Sequence, residues 1–304
     1  MIRTTRTMND LNNSNDLSHL NDLSDLTDLN DLTYLCANVT HTIMILAIDI
    51  GNTNIVIALY REASWSNTFR YETKVVQPEF YYENALRSIL LEWGISHQEI
   101  NHCVISSVVP DLNEVIGQAV RFVTGVHPFF ITPEVLMQLD IVVPHPYVIG
   151  SDLVANAYGA IKTYGDHCIV VDFGTALTFT IVDNKGIKGV TIAPGLKTAM
   201  MSLSSQTAQL PLVNISLPSS AIGHDTTSAI QAGVMWGYVG LVKELLERMT
   251  VELGQEYTIV ATGGLSTILH PLESKFDVVD KMLTLNGMRL IYEHCQPTSI
   301  SSHS

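Results

Sequence analysis

The feature that most constrains this chain is a short pattern that occurs twice. An apolar run leads into Asp49 and Gly51 and is followed by a second apolar run, and the same arrangement recurs at Asp172 and Gly174. Each copy is typical of a buried strand, a tight turn and a second strand. The turn glycine lets the backbone come close to a ligand, and the Thr and Asn side chains that follow add hydrogen-bond donors.

A single Asp-x-Gly between apolar runs is usually only a β-hairpin. Two copies at domain-scale separation favour a different interpretation, in which two similar lobes hold the phosphates of one nucleotide between them. Each aspartate would then lie at a strand end, where a carboxylate can hold a cation or a metal-bound water. The sequence therefore predicts a pair of phosphate-binding loops.

Composition narrows the class of protein. The 304 residues are 46% hydrophobic, which is enough for a proper core and excludes a collagen-like or disordered chain. A net charge of -14 argues against a nucleic-acid partner, which needs a cationic face. Phosphate ligands stay possible, because backbone N–H groups can bind them. The apolar runs are strand-sized, so no membrane partner is expected, and four cysteines without a CxxC motif are expected to be isolated thiols.

The first 43 residues differ from the rest. From Asp22 the chain repeats Asp-Leu-x, and a period of three matches neither a helix nor a strand. We expect residues 1–43 to be a low-complexity, disordered extension, with Met44 as a candidate physiological start. The body then divides into an N-terminal lobe at residues 44–150 and a C-terminal lobe at residues 151–304.

The element order predicts a mixed α/β fold. Helical periodicity covers residues 79–93 and 111–124, and residues 104–109 form a strand that Pro110 is expected to close. The order of hairpin, strand, helix, strand and helix, followed by a repeat, predicts two similar lobes with mixed sheets flanked by helices. Residues 195–198 resemble a Walker phosphate-binding loop only loosely, because they lack the glycines that such a loop requires. The turn-flanking histidines His127, His145 and His224 are expected to be surface groups.

A series of motifs in one order gives the chain a specific resemblance. They are DIGNTN (49–54), SSVVP (106–110), DFGT (172–175), APGL (193–196), QTAQLP (206–211), IGHDT (222–226), GVMWGYVG (233–240), TGGL (262–265) and LTLNGMRLI (283–291). On these motifs the chain resembles the type III pantothenate kinases over residues 44 to 295. The resemblance implies an actin-like (ribonuclease H-like) fold of the acetate and sugar kinase superfamily. It also implies a cytoplasmic homodimer that phosphorylates pantothenate with ATP in the first step of coenzyme A biosynthesis.

The resemblance also implies cofactors and site residues. The cofactors are Mg²⁺ and a monovalent cation, K⁺ or NH₄⁺. Asp152 corresponds to the general base, although an Asp before a helix is also a common N-cap. Asp172 corresponds to the ligand of the monovalent cation, and Asp49 lies near the Mg²⁺-bound phosphates. The expected ATP contacts are Asp49, Ile50, Gly51, Asn52, Thr53, Asn54, Ile55, Val56 and Thr175. The expected substrate contacts are Val143, Gly150, Ser151, Asp152, Leu153 and Thr226.

The chain departs from the family pattern on the acceptor side only. Leu153 replaces an Arg, Val143 replaces a Tyr, and His224 with Asp225 replaces an Arg-Asn pair. Leucine cannot supply the planar cation that binds a carboxylate or phosphate bidentately. Three functions therefore stay open: an active pantothenate kinase, a catalytically impaired nucleotide-binding homologue with a regulatory role, and a kinase for another small alcohol.

Overall fold

The computed structural model describes residues 43–78, 80–205, 210–264 and 270–296. The extension expected at residues 1–43 lies outside these ranges apart from Ile43, which is half-buried and packs against the core. The motifs at 206–211 and 262–265 are partly outside them as well. The described residues belong to one compact unit, and the division into lobes between residues 150 and 151 stays a prediction.

The first sheet has five strands. They are β1 (Ile45–Ile50), β2 (Asn54–Arg61), β3 (Ser64–Glu72), β4 (His102–Ser107) and β5 (Phe129–Phe130). Their order is β3-β2-β1-β4-β5. The first three strands pair antiparallel, whereas β4 is parallel to β1 and β5 is parallel to β4. The central strand β1 is apolar almost throughout because both of its faces are covered.

The second sheet repeats this topology. Its strands are β6 (His167–Phe173), β7 (Ala176–Asp183), β8 (Gly186–Pro194), β9 (Thr258–Thr262) and β10 (Val278–Val279). The order β8-β7-β6-β9-β10 and the sequence of antiparallel and parallel pairs both match the first sheet. The predicted duplication is confirmed, and the chain has two lobes of the actin-like, ribonuclease H-like class.

The duplication extends to single residues beside the two aspartates. In the parallel register, Asp49 of β1 lies opposite Ser106 of β4, and Asp172 of β6 lies opposite Thr262 of β9. Both hydroxyl residues are buried, and they are polar exceptions in strands whose other buried residues are mostly apolar. Each lobe thus places an aspartate beside a buried hydroxyl at the carboxyl end of its central strand.

Seven α-helices are described. They are α1 (Tyr81–Glu92), α2 (Pro110–Thr124), α3 (Pro133–Leu136), α4 (Ser151–Tyr164), α5 (Leu196–Ser205), α6 (Thr226–Leu253) and α7 (Leu283–Cys295), with 3₁₀ turns at His97–Glu99 and His270–Lys275. The two predicted helices correspond to α1 and α2. The prediction for the preceding strand was wrong at its end, since β4 stops at Ser107 and Pro110 begins α2. Proline is suited to a first helical turn because its missing N–H has no partner there.

The core consists of three apolar clusters. One lies between the first sheet, α1 and α2, and another between the second sheet, α5 and α6. The third joins both sheets through α4 and α7. These two helices pack very closely: a Cβ on Gly159 would lie 3.0 Å from the carbonyl oxygen of Leu283, and one on Gly287 would overlap α4 itself. Within the described ranges, no helix combines the length and the apolar character needed to cross a bilayer.

Candidate active site

Asp49 and Asp172 occupy equivalent positions in the two lobes. Asp49 is near the carboxyl end of β1 and Asp172 near the carboxyl end of β6. The turns that follow close in a similar way: the Gly51 N–H donates to the Asn54 carbonyl oxygen at 3.0 Å, and the Gly174 N–H donates to a carbonyl two residues on at 3.1 Å. Each turn is therefore closed by a backbone hydrogen bond from its glycine.

The two turns meet. Thr175 donates a hydrogen bond from Oγ1 to Oγ1 of Thr53 at 2.8 Å. The carboxylates of Asp49 and Asp172 also interact electrostatically. The structure therefore brings the two predicted phosphate loops to one cleft between the sheets.

Two further threonines donate hydrogen bonds to carbonyl oxygens of the loops. Thr73 donates from Oγ1 to the Gly51 carbonyl oxygen at 2.6 Å, and its N–H donates to the Thr53 carbonyl oxygen at 2.9 Å. On the other side, Thr198 donates from Oγ1 to the Thr175 carbonyl oxygen at 2.8 Å. Thr198 belongs to the segment that lacks Walker glycines, and its role in fixing the second loop has no local sequence signal.

Three carboxylates converge at the centre of the site. Burial raises the pKa of Asp49 to about 7, and the neighbouring charges of Asp152 and Asp172 act in the same direction. The Ser106 hydroxyl, which is hydrogen-bonded to Asp49, and the more distant Arg70 oppose this shift. Negative charge is thus crowded at the place where a nucleotide would put its phosphates.

Asp152 lies in the first turn of α4, but it is not the cap. The N-cap residue is Gly150, and no side chain caps the helix by a hydrogen bond. The alternative interpretation of Asp152 as the N-cap was therefore wrong. Asp152 accepts a hydrogen bond from the Leu153 N–H at 2.8 Å. Burial raises the pKa of Asp152, whereas backbone N–H groups lower it. The carboxylate therefore protonates more readily than an exposed aspartate.

Ser151 ties this helix to the first sheet. Its hydroxyl lies 2.9 Å from the Ser106 hydroxyl and accepts from the Ser107 N–H at 3.2 Å. Ser106 in turn lies opposite Asp49 in the register of β4 with β1. Ser151 therefore links the start of α4 to the strand that lies beside Asp49.

Asn156 holds the third carboxylate. Its Nδ2 donates to Asp172 Oδ2 at 2.9 Å, and its Oδ1 accepts from the Thr284 hydroxyl at 2.7 Å. Burial raises the pKa of Asp172 to about 6, with Asp152 acting in the same direction. Gly263, at a φ of 89°, completes the surroundings, since a Cβ there would lie 2.6 Å from Asp172 Oδ1. Sequence reasoning missed Asn156, although it lies one helical turn after Asp152.

The other residues that were expected to contact ATP differ in how much of their side chains is exposed. The side chains of Ile50 and Ile55 are fully buried in the core, so only their backbone groups can face a nucleotide. Asn52 is exposed, and Asn54 and Val56 are half-buried. The loop itself, rather than its apolar side chains, presents the binding groups.

The acceptor-side residues are only partly brought together. Leu153 follows Asp152 directly, and Val143 is half-buried against the core cluster that joins the sheets. Thr226 instead lies at the start of α6, in a groove that it shares with Gly223 and His224 and that contains none of the three central carboxylates. Thr226 and Asp152 thus do not line this groove together.

Asp225 has a structural explanation that the sequence interpretation missed. It is the N-cap of α6 and accepts a hydrogen bond from the Ser228 N–H at 2.9 Å. In return the Asp225 N–H donates to the Ser228 hydroxyl at 3.1 Å, which completes a capping box. The hydrogen bonds from Ser228 lower the pKa of Asp225. The Asp225 carboxylate therefore stabilises the start of α6.

The three turn-flanking histidines, His127, His145 and His224, are exposed, as expected.

Comparisons with known proteins agree on one family. A family model described as type III pantothenate kinase matches residues 45–248. The chain is 41% identical over 258 residues to the type III pantothenate kinase of Acidobacterium capsulatum, covering 82% of this chain and 94% of that protein. It is 39% identical over 254 residues to that of Brevibacillus brevis, covering 83% and 100%. It is 36% identical over 251 residues to that of Bacillus cytotoxicus, covering 82% and 96%.

A solved structure supports the fold. A Campylobacter jejuni protein described as a Baf family transcriptional activator matches with a TM-score of 0.52 and 20% identity, covering 83% of this chain and 99% of that one. At this identity the likeness bears on the arrangement of strands and helices alone.

Proposed function

This chain belongs to the type III pantothenate kinase family, and we propose that its cleft transfers a phosphoryl group from ATP to pantothenate with Asp152 as the general base. As a member of that family the chain is a kinase, and its reaction gives 4'-phosphopantothenate in the first step of coenzyme A biosynthesis. The observation that carries the proposal is the convergence of Asp49, Asp152 and Asp172 where the two loops meet.

The proposed reaction is a direct phosphoryl transfer in which Asp152 takes up the proton. The acceptor hydroxyl oxygen attacks the terminal phosphorus of ATP, the bond from that phosphorus to the bridging oxygen of ADP breaks, and the hydroxyl proton passes to the Asp152 carboxylate. Phosphoryl transfer depends mainly on positioning and charge neutralisation. A base whose pKa is raised towards the working pH accepts a proton more effectively than an ordinary aspartate.

The donor set of the cleft fits hard cations. Carboxylate oxygens are the ligands that Mg²⁺ and K⁺ accept, and Mg²⁺ often binds through one or two carboxylates together with phosphates. Within the described ranges, no three metal-ligating side chains lie close enough to bind an ion by themselves. We propose that Asp49 holds Mg²⁺ together with phosphate oxygens and that Asp172 holds K⁺ or NH₄⁺. Bound cations would neutralise the crowded negative charge.

Acceptor recognition is proposed to rest on polar groups other than an arginine at residue 153. Leu153 supplies no charge beside Asp152, and the Asp152 carboxylate accepts a hydrogen bond from the Leu153 N–H. Gly150 and Ser151 offer backbone and hydroxyl groups beside it. We propose that these groups orient the pantothenate hydroxyl.

A homodimer and a cytoplasmic location belong to the same proposal. One face of α6 carries Gly233, Gly237 and Gly240, and a Cβ on any of them would meet no atom within 4 Å. This open, small-residue face could accept a helix of a second copy. Size-exclusion chromatography with light scattering tests this, and a monomer at micromolar concentration would refute it. The location follows from the use of ATP, which the cytoplasm supplies.

The central test is an ADP-release assay on the full chain with ATP, Mg²⁺, K⁺ and pantothenate. We expect pantothenate-dependent ADP release that Asp152→Asn abolishes and that Asp166→Asn, a matched change at an exposed aspartate, leaves intact. ATP binding without turnover would instead identify a non-catalytic homologue, and turnover with a different alcohol alone would identify another kinase. Adding Leu153→Arg shows whether the acceptor pocket gains from the missing cation.

A further inference from the structure

Arg70 extends from one sheet of the cleft to the other. It lies on the edge strand β3, paired in register with Val56 at the end of the first loop. A Cβ on Gly264, which follows β9 of the second sheet, would lie only 3.8 Å from Nη1 of Arg70. The guanidinium of this exposed arginine therefore lies at the opening between the lobes, where the two phosphate loops face each other.

Arg70 is the cation that two of the central carboxylates experience. Its charge favours the ionised forms of Asp49 and Asp172, the aspartates near the carboxyl ends of the two central strands. Among the described residues it makes no hydrogen bond and no ion pair within 4.0 Å.

An arginine in this setting is well placed for a phosphate. ATP would bring several negative charges towards three carboxylates, so a protein cation at the mouth of the cleft would relieve the repulsion. The planar guanidinium fork binds phosphate oxygens bidentately. We propose that Arg70 binds the terminal phosphate of ATP, the group that is transferred. This assignment rests on the proposed function and deepens it.

Arg70 could in principle bind a different anion, the carboxylate of pantothenate. The phosphate is favoured because Arg70 is paired with Val56 at the end of the first phosphate loop and lies beside Gly264 of the second sheet. Pantothenol, which has an alcohol in place of the carboxylate, distinguishes the two sources. A loss that is confined to pantothenate and spares pantothenol would overturn the proposal.

The experiment compares Arg70→Gln, Arg70→Lys and the control Arg61→Gln in the full chain. Arg61 lies at the far end of β2, where its partner is the neighbouring Glu62. Calorimetry measures the affinity for ATP and ADP with Mg²⁺, and steady-state assays give kcat and KM. We expect Arg70→Gln to weaken ATP binding roughly tenfold or more, to change ADP binding less than about threefold, and to lower kcat about a hundredfold.

Arg70→Lys keeps the charge and loses the fork, so it should retain part of the preference for ATP over ADP. Equal weakening of ATP and ADP by Arg70→Gln, or unchanged ATP affinity and kcat, would overturn the assignment while wild-type turnover keeps the proposed function intact. Failure of the wild type to bind ATP would refute the proposed function itself. Melting curves without nucleotide should be the same for Arg70→Gln and Arg61→Gln.

Discussion

Thr53 and Thr175 come from different sheets and touch, with Oγ1 of Thr175 donating to Oγ1 of Thr53 at 2.8 Å. Thr53 lies in the turn between β1 and β2, and Thr175 lies in the equivalent turn between β6 and β7. The duplicated fold therefore joins its halves at the tips of two equivalent loops. A polyphosphate bound by both loops would replace or extend this single bond.

Replacing Thr175 by valine tests the contact. Valine keeps the shape but removes the hydroxyl, so we expect the Kd for ATP to rise roughly tenfold, near the upper range for one neutral hydrogen bond. The unfolding free energy should change by less than about 1 kcal/mol, because the bond is exposed. Thr68→Val, at an exposed position of β3, is the control. An ATP affinity equal to that of the wild type would show that Thr175 makes no contact with nucleotide.

The loss of activity at low pH should follow the protonation of Asp152. The base must be ionised to accept a proton, and burial raises its pKa. We therefore expect kcat/KM for pantothenate, at saturating MgATP, to fall as the pH drops through a value above the usual value of about 3.9 for aspartate. Activity that stays constant until the pH falls to the usual value of about 3.9 would contradict the assignment of Asp152 as a buried general base.

Asp49→Asn should stabilise the free protein at neutral pH while it abolishes turnover. The folded-state pKa of Asp49 is raised to about 7 from an unfolded value near 3.8, so the folded state binds more protons between these values. The unfolding free energy consequently falls as the pH rises through this window.

Asparagine removes this pH dependence. We expect an advantage over wild type of at most about 4 kcal/mol above pH 7 that vanishes below about pH 4. Thermal melts without nucleotide at several pH values measure it, and Asp166→Asn is again the control. A variant less stable than wild type at pH 8 would show that Asp49 contributes favourably even when no cation is bound.

Asn156→Leu should be strongly destabilising. The leucine leaves the buried Asp172 carboxylate and the Thr284 hydroxyl without their partner, which costs about 2–4 kcal/mol. Urea unfolding measures this change. Asn113→Leu on α2 is the matched control, since Oδ1 of Asn113 is buried without a hydrogen bond among the described residues. Equal costs for the two variants would show that the Asn156 network adds nothing to stability.

The local patterns predicted the parts of the fold that neighbouring residues determine. The apolar runs and turn glycines around Asp49 and Asp172 were sufficient for both hairpins and their duplication. Helical periodicity located α1 and α2 to within a turn. The end of β4 was misplaced because a proline that ends one element can equally begin the next.

The contacts between elements could not be read from the chain in the same way. Ser106 reaches Asp49 only because β4 pairs with β1 in one register, and Asn156 reaches Asp172 only because α4 packs on β6. Arg70 enters the cleft from an edge strand whose pattern is that of an ordinary solvated face. Asp225 was interpreted as part of the acceptor site, although its hydrogen bonds form a helix cap.

The contact between α4 and α7 has a consequence for the order of events during synthesis. Gly287 lies against the backbone of α4, the helix whose first turn contains Asp152, and α7 is the last described helix of the chain. A ribosome-bound chain that lacks α7 cannot close the cluster shared by both sheets. We therefore expect Asp152, the proposed general base, to be held in position only after the carboxyl-terminal helix has emerged, and truncation before Leu283 to yield destabilised, inactive protein.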